Sequence, residues 1–241
     1  MIFFLGGVSL MENTQISIER TNAQAKQKFL TGVYGWMALA LVVSAVTAYF
    51  TATNVTLLNM LFKNSFNFMI LAIGEVALVW WLSASIRKIS AQTAAIAFLA
   101  YSVLNGVTLS TIFIVYTGAS IASVFITCAA MFAVMSFYGL VTKSNLSSMG
   151  RYLMMGVIGI LIASLFNMFI RSSGLDWLIS VVTVVLFTGL TAYDSQKMLA
   201  VSQHADGSEM FKKAAIIGAL ELYLDFINMF LALLRLFGRK K

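Results

Sequence analysis

The chain of 241 residues is 60% hydrophobic and only 10% charged, whereas a soluble domain of this size carries roughly 25% charged residues to face water. A water-soluble core is therefore excluded, and a lipid bilayer is the solvent that fits. The net charge of +7 does not point to nucleic acid, because the basic residues stand at the ends of apolar runs rather than on one face.

Backbone groups in lipid must be satisfied within the structure, which leaves helices or a closed barrel. A barrel requires short strands of alternating character. Here the runs are long, as in Tyr152–Ile170, where Ser164 and Asn167 are the clearly polar interruptions. The expected fold is an all-α integral membrane protein, a bundle of seven transmembrane helices.

Residues Met1–Leu10 are apolar but have no basic n-region and are too short to span. An upstream start is expected there, with Met11 as the natural beginning. Residues 1–28 are read as a short cytoplasmic N-terminal tail and 29–241 as a single seven-helix membrane domain. Spans are expected near Phe29–Phe50, Phe66–Ile86, Ala91–Tyr116, Ala119–Val141, Tyr152–Ile170, Trp177–Asp194 and Ala214–Phe237. There is no proline, so glycine or polar residues must supply any helix breaks. The single cysteine, Cys128, lies in an apolar run and the single histidine, His204, in a polar loop. That excludes a disulfide framework, a His-ligated metal centre and a Ser/His/Asp triad. No enzyme activity and no tightly bound cofactor are expected.

Short loops on one side carry Arg87/Lys88, Lys143/Arg151 and Lys197/Lys212/Lys213, and share that side with the Arg20/Lys26/Lys28 tail. The opposite loops carry Lys63 and Arg171. The positive-inside rule makes the first side, and the N-terminus, cytoplasmic. The terminal Arg239-Lys240-Lys241 conflicts with this, because seven crossings place it outside. Either the last segment turns back or the late cluster does not control topology; a full crossing is the expectation.

Four acidic residues stand in or beside apolar segments: Glu75, Asp194, Glu221 and Asp225. An ionised carboxylate at the bilayer centre costs about 2.5–3.5 kcal/mol or more, so each must be protonated, paired or in contact with water. Glu221, Asp225 and Asn228 share one helix face by their i, i+4, i+7 spacing. That face must look into the bundle, which makes the C-terminal helix central. If the last two spans form a hairpin around His204–Glu209, Asp194 and Asp225 are offset by about six residues, roughly 9 Å. Tilt or an uneven loop would let them meet. Two such carboxyls would share one proton and act as a proton sensor, or offer oxygens to a transient Ca²⁺. Alternatively, each carboxylate merely hydrogen-bonds within the bundle. Glu75 lies about 18 Å along a helix from Arg87, too far for contact within that helix, so it needs a partner elsewhere. Arg171 and Arg235 read as snorkelling anchors, and Asn105-Gly106 as a packing or hydrogen-bonding spot.

Several of these stretches resemble the Bax inhibitor-1 family in its bacterial form. Phe187-Thr188-Gly189-Leu190-Thr191-Ala192-Tyr193-Asp194-Ser195-Gln196-Lys197 is similar to its sixth-helix signature. Gly218-Ala219-Leu220-Glu221-Leu222-Tyr223-Leu224-Asp225-Phe226-Ile227-Asn228 with Leu233-Leu234-Arg235 is similar to its C-terminal helix. Val33-Tyr34-Gly35-Trp36-Met37 and Thr142-Lys143-Ser144-Asn145-Leu146-Ser147 match its first span and the loop after its fourth helix. The resemblance implies six helices around a C-terminal one. It also implies a proton-sensitive aspartate latch, carried over to Asp194 and Asp225, with Glu75 and Arg87 as supporting positions. Glu221 departs from the pattern and adds a third carboxyl.

The function so implied is a pH-sensitive calcium leak channel of a bacterial inner membrane, in which the latch holds the last helix in the pore and Ca²⁺ is the permeant ion. The alternative is a non-transporting membrane interaction protein, one that binds and modulates a membrane protease or another membrane protein in quality control or a stress or cell-death response. An intramembrane aspartic hydrolase is a third class, but no catalytic motif accompanies the two aspartates. Compactness and the lack of organelle targeting segments favour the inner membrane. The expected partners are the lipid bilayer and calcium ions, with no nucleic acid.

Overall fold

The computed structural model describes the backbone of residues 2–62 and 65–241 and the side chains of 23–61 and 66–241. Lys63 and the side chain of Arg20, both used above for orientation, lie outside the described residues. The elements are helices: α1 (Ile2–Thr53), α2 (Val55–Phe62), α3 (Ser65–Ser85), α4 (Ala91–Val115), α5 (Gly118–Val141), α6 (Ser147–Ile170), α7 (Ser173–Ser202) and α8 (Glu209–Phe237). Among the described residues seven stretches are long and apolar enough to cross a membrane: Ala23–Thr53 within α1, Phe66–Ser85 within α3, and the whole of α4 to α8. The protein is a helical membrane bundle.

Several expected span limits are extended. The first span begins at Ala23 rather than Phe29, and the fifth at Ser147 rather than Tyr152. The sixth runs from Ser173 to Ser202 rather than from Trp177 to Asp194, and the last begins at Glu209 rather than Ala214. α7 extends past Asp194 because Ser195, Gln196 and Lys197 have partners on neighbouring elements, as set out below. The short α2 was not anticipated; its eight residues carry no span signal. The polar stretch before the first span and the span itself belong to one helix, α1.

α8 packs against α1, α4, α5 and α7, whereas α3 packs on α4 and α6 on α7. The C-terminal helix is thus central, with α3 and α6 placed outside the inner ring. Close approach depends on glycine at two crossings. A Cβ on Gly139 of α5 would lie 2.1 Å from the Ala192 carbonyl oxygen of α7, and one on Gly106 of α4 would lie 2.6 Å from the Ser44 carbonyl oxygen of α1. Small residues at such contacts are how helices pack where lipid supplies no hydrophobic drive.

The hydrogen bonds at the end of the chain show which end of the bundle the basic C-terminus occupies. Past α8, Thr117 N donates to the Arg239 carbonyl (3.0 Å), Lys241 N to the Val115 carbonyl (3.0 Å), and Arg239 N to Ser120 Oγ (2.9 Å). The basic C-terminus is therefore fastened to the α4–α5 turn. At the other end of α8, Glu209 Oε1 accepts from Ala91 N at the start of α4 (2.6 Å). α8 runs the full length of α4, so the last segment crosses and does not turn back.

Candidate functional site: a carboxyl pair between the last two helices

Four consecutive residues of α7 point, at about 100° per step, to four different partners. Asp194 faces Asp225 of α8, both buried, with the two carboxyls within hydrogen-bonding reach of each other. Ser195 joins a hydroxyl cluster. Tyr34 of α1 donates to Ser195 Oγ (3.2 Å), Ser195 donates to Ser136 Oγ of α5 (2.9 Å), and the Tyr34 and Ser136 hydroxyls are 2.6 Å apart. Gln196 pins the loop before α6, accepting from Leu146 N (2.9 Å) and donating to the Ser144 carbonyl (2.8 Å). Lys197 pairs with both oxygens of Glu221 on α8 (2.7 and 2.8 Å). A single turn of α7 thereby ties α1, α5, the α5–α6 loop and α8 together.

Among the described residues, Asp225 Oδ2 is a buried side-chain oxygen that no protein donor reaches. A buried acceptor normally has a partner, and a proton shared with Asp194 would supply one. The uneven loop explains how the pair meets despite its sequence offset, because the first turn of α8 reaches out to the start of α4 before the helix comes level with α7.

The other expected site residues divide. Glu221 does not add a free third carboxyl, since Lys197 balances it at the half-exposed edge of the pair. Asn228 is not drawn into the pair; its amide donates to the Leu224 carbonyl of its own helix (2.8 Å). Arg87 is likewise not at the latch. It is exposed in the turn after α3 and makes no ion pair among the described residues.

Glu75 has the separate partner that its position demands, at a second polar centre. Its carboxylate accepts from Asn105 Nδ2 (3.1 Å) and from the Thr108 hydroxyl of α4. Asn105 Oδ1 in turn accepts from the Tyr223 hydroxyl of α8 (2.8 Å). That hydroxyl lies 2.6 Å from Ser44 Oγ of α1, which donates to the Ser102 carbonyl (2.8 Å). Tyr223 and Asp225 are two residues apart, about 200° around α8, so the central helix carries one polar centre on each side. Spacing located Asp194, Asp225, Glu75 and Asn105. It missed Tyr34, Ser44, Ser136, Ser195 and Tyr223, whose lone hydroxyls carry no signal of their own in apolar runs, and it missed the pairing of Lys197.

No group of three or more His, Cys, Asp or Glu side chains that could hold a metal occurs among the described residues. Two carboxyls fall short of the six to eight oxygens a bound Ca²⁺ takes.

A helical membrane protein with a buried carboxyl pair at its central helix is the class that this fold and site define. The family model for the inhibitor of apoptosis-promoting Bax1 matches residues 26–241, and the chain belongs to that family, the Bax inhibitor-1 family of the motif resemblance. It is 46% identical to the inner membrane protein YbhL of Escherichia coli K12 over 217 residues, 89% of this chain and 93% of YbhL. It is 47% identical over 224 residues to an uncharacterized protein of Borreliella burgdorferi, covering 92% of this chain and 97% of that one. A Lactococcus lactis protein, YrjE, is 40% identical over 214 residues, covering 87% and 90%.

Proposed function

We propose that this protein is a pH-sensitive cation leak channel of the inner membrane, with Ca²⁺ as the permeant ion and the Asp194–Asp225 pair as its gate. It acts without a bound cofactor and without catalysis, and its N-terminus is cytoplasmic. The observation that carries the reading is the pair itself: two buried carboxyls on α7 and the central helix, within reach of each other, with Asp225 Oδ2 lacking any donor. While one proton is shared, the carboxyls hold α8 against α7 and the path is closed. When both ionise, like charges repel in a low dielectric, the contact loosens and α8 is free to shift. The membrane named for YbhL supports the location.

The test is Ca²⁺ flux into proteoliposomes between about pH 6 and 8, a range in which a shared-proton pair can titrate. Wild-type flux is expected to rise with pH. Asp194→Asn and Asp225→Asn are each expected to abolish or displace that rise. No flux above empty liposomes at any pH would overturn the channel reading. It would favour a non-transporting protein that binds a membrane protease or another membrane protein, a role that amidation of either aspartate should leave intact.

A further inference from the structure

A cavity of about 960 Å³ opens between α1, α4 and the start of α8, at the end of the bundle opposite the C-terminus. Its lining is graded along the bundle axis. Gln24, Gln27, Lys28, Gln92 and Lys212 stand toward the end of the bundle, while Trp36, Leu99, Ile216 and the exposed Ile96 lie farther along it. The α1 span of 31 residues is about 46 Å long, against roughly 30 Å of hydrocarbon. Residues near its start therefore project past the hydrocarbon into the headgroup layer. From Lys28 to Trp36 is about 12 Å along the helix, most of the roughly 15 Å that one leaflet of hydrocarbon provides.

Among the described residues the cavity lining carries Lys28 and Lys212 and no acidic side chain. The two acids of the adjacent turn already accept from backbone: Asp206 from Ser208 N (2.8 Å) and Glu209 from Ala91 N. The start of α4 is likewise capped, by Ser90 and Glu209, so the positive character comes from the lysines rather than from free helix amides. Lys28 and Lys212 are both exposed and stand on different helices at the same opening. On the inner wall, Phe29 and Phe211 meet edge to face (6.3 Å) and brace α1 against α8.

We propose that this groove binds an anionic phospholipid, its phosphate held between Lys28 and Lys212 and one acyl chain seated against Trp36, Ile96 and Leu99. Zwitterionic lipid offers the same chains without net charge, so the lysines select for the anionic headgroup. The site is independent of the carboxyl pair and of any ion flux.

Trp36 reports occupancy. Trp80, Trp81 and Trp177 are exposed on the apolar surface and would be quenched by any lipid, so they are replaced by phenylalanine. The remaining fluorescence is measured in phosphatidylcholine vesicles doped with either brominated phosphatidylglycerol or brominated phosphatidylcholine. The expected result is that the anionic lipid quenches Trp36 at about tenfold lower mole fraction, as two lysines at a surface imply. Lys28→Gln with Lys212→Gln should remove that preference. Arg87→Gln with Lys88→Gln, an exposed basic pair outside the groove at the same end, should leave it unchanged. Ala95→Phe, which fills the groove without altering charge, should protect Trp36 from both lipids. Equal quenching by the two lipids in the wild type would overturn the site, as would an equal loss in the Arg87/Lys88 variant, which would mean diffuse surface attraction. Displacement by soluble glycerol phosphate at millimolar concentration would also overturn it, because the headgroup alone would then be the ligand.

Discussion

α6 and α8 illustrate opposite uses of an apolar helix. α6 has the highest mean hydropathy of the seven spans and none of its span window is buried; α8 has the lowest, and 72% of its window is buried. In water the order would be reversed. In lipid, the apolar helix is the one that meets the solvent, and the helix that carries carboxyls, an amide and a tyrosine hydroxyl must be enclosed. α6 packs on α7 and presents Ile158, Leu161, Leu165 and Phe169 outward. α8 instead buries Tyr223 on one side and Asp225 and Met229 on the other, and contacts four helices. Hydropathy thus separates the two extremes, while α3, with a mean hydropathy of 1.8 and 6% of its window buried, lies outside the inner ring without following that order.

The largest expected effect tests whether enclosure depends on backbone approach. Gly139→Ala on α5 places a methyl 2.1 Å from the Ala192 carbonyl of α7, which forces the two helices apart beside the site. A loss of about 3 kcal/mol is expected, near the upper end for overpacking, read as a lower unfolding temperature in detergent. Gly159→Ala on α6 meets nothing within 4 Å and should gain about 0.5–1 kcal/mol from the better helix former. Equal behaviour of the two variants would mean that α5 and α7 are not in close contact.

A smaller effect separates enclosed from outward hydroxyls. Tyr223→Phe on α8 removes the donor to Asn105 Oδ1 and leaves that oxygen buried. The expected cost is about 1–2 kcal/mol, between the average membrane hydrogen bond and a fully orphaned group. Tyr152→Phe on α6 changes a side chain that is 72% exposed, and should alter stability by less than about 0.5 kcal/mol. The same unfolding assay reads both, and a silent Tyr223→Phe would remove the second polar centre from the account of how α8 is held.

The sequence made part of this contrast legible for a physical reason. A carboxyl in an apolar run is too costly to be accidental, so Asp194, Asp225 and Glu75 announced themselves, and the i, i+4 face of α8 gave its central place. The sixth span nevertheless runs past its expected end near Asp194, because the polar residues that follow, Ser195, Gln196 and Lys197, find partners on other elements. Hydroxyl partners were invisible. Tyr34, Ser136 and Ser195 come from α1, α5 and α7, and only the arrangement of helices decides that they meet. Lys197 read as a loop charge by the positive-inside pattern, yet it lies within α7 and pairs with Glu221. Arg87 was assigned by motif position, and motif position does not carry a side chain across the bundle.

The smallest effect distinguishes the turns that serve the two helices. The turn leaving α6 is capped by a neutral amide, Asn167 Oδ1 accepting from Ser172 N (3.0 Å). The turn entering α8 is capped by a carboxylate, Asp206, which accepts from Ser208. Those bonds hold the Asp206 carboxyl below the usual carboxylate range. A group whose value is depressed in the folded chain stabilises above its unfolded value of about 3.9, and that contribution disappears as pH falls through the depressed one. Because Asp206 is fully exposed, the effect is local. It is best read as the ¹³C chemical shift of its labelled carboxyl between about pH 6 and 2, with a midpoint below 3.9 expected. Ser208→Gly keeps the backbone donor and removes the hydroxyl, and should move the midpoint partway back. A wild-type midpoint at or above the unfolded value would mean that the turn into α8 is not held by its carboxylate. Acid would then act on the start of the central helix no more than it acts on the end of α6.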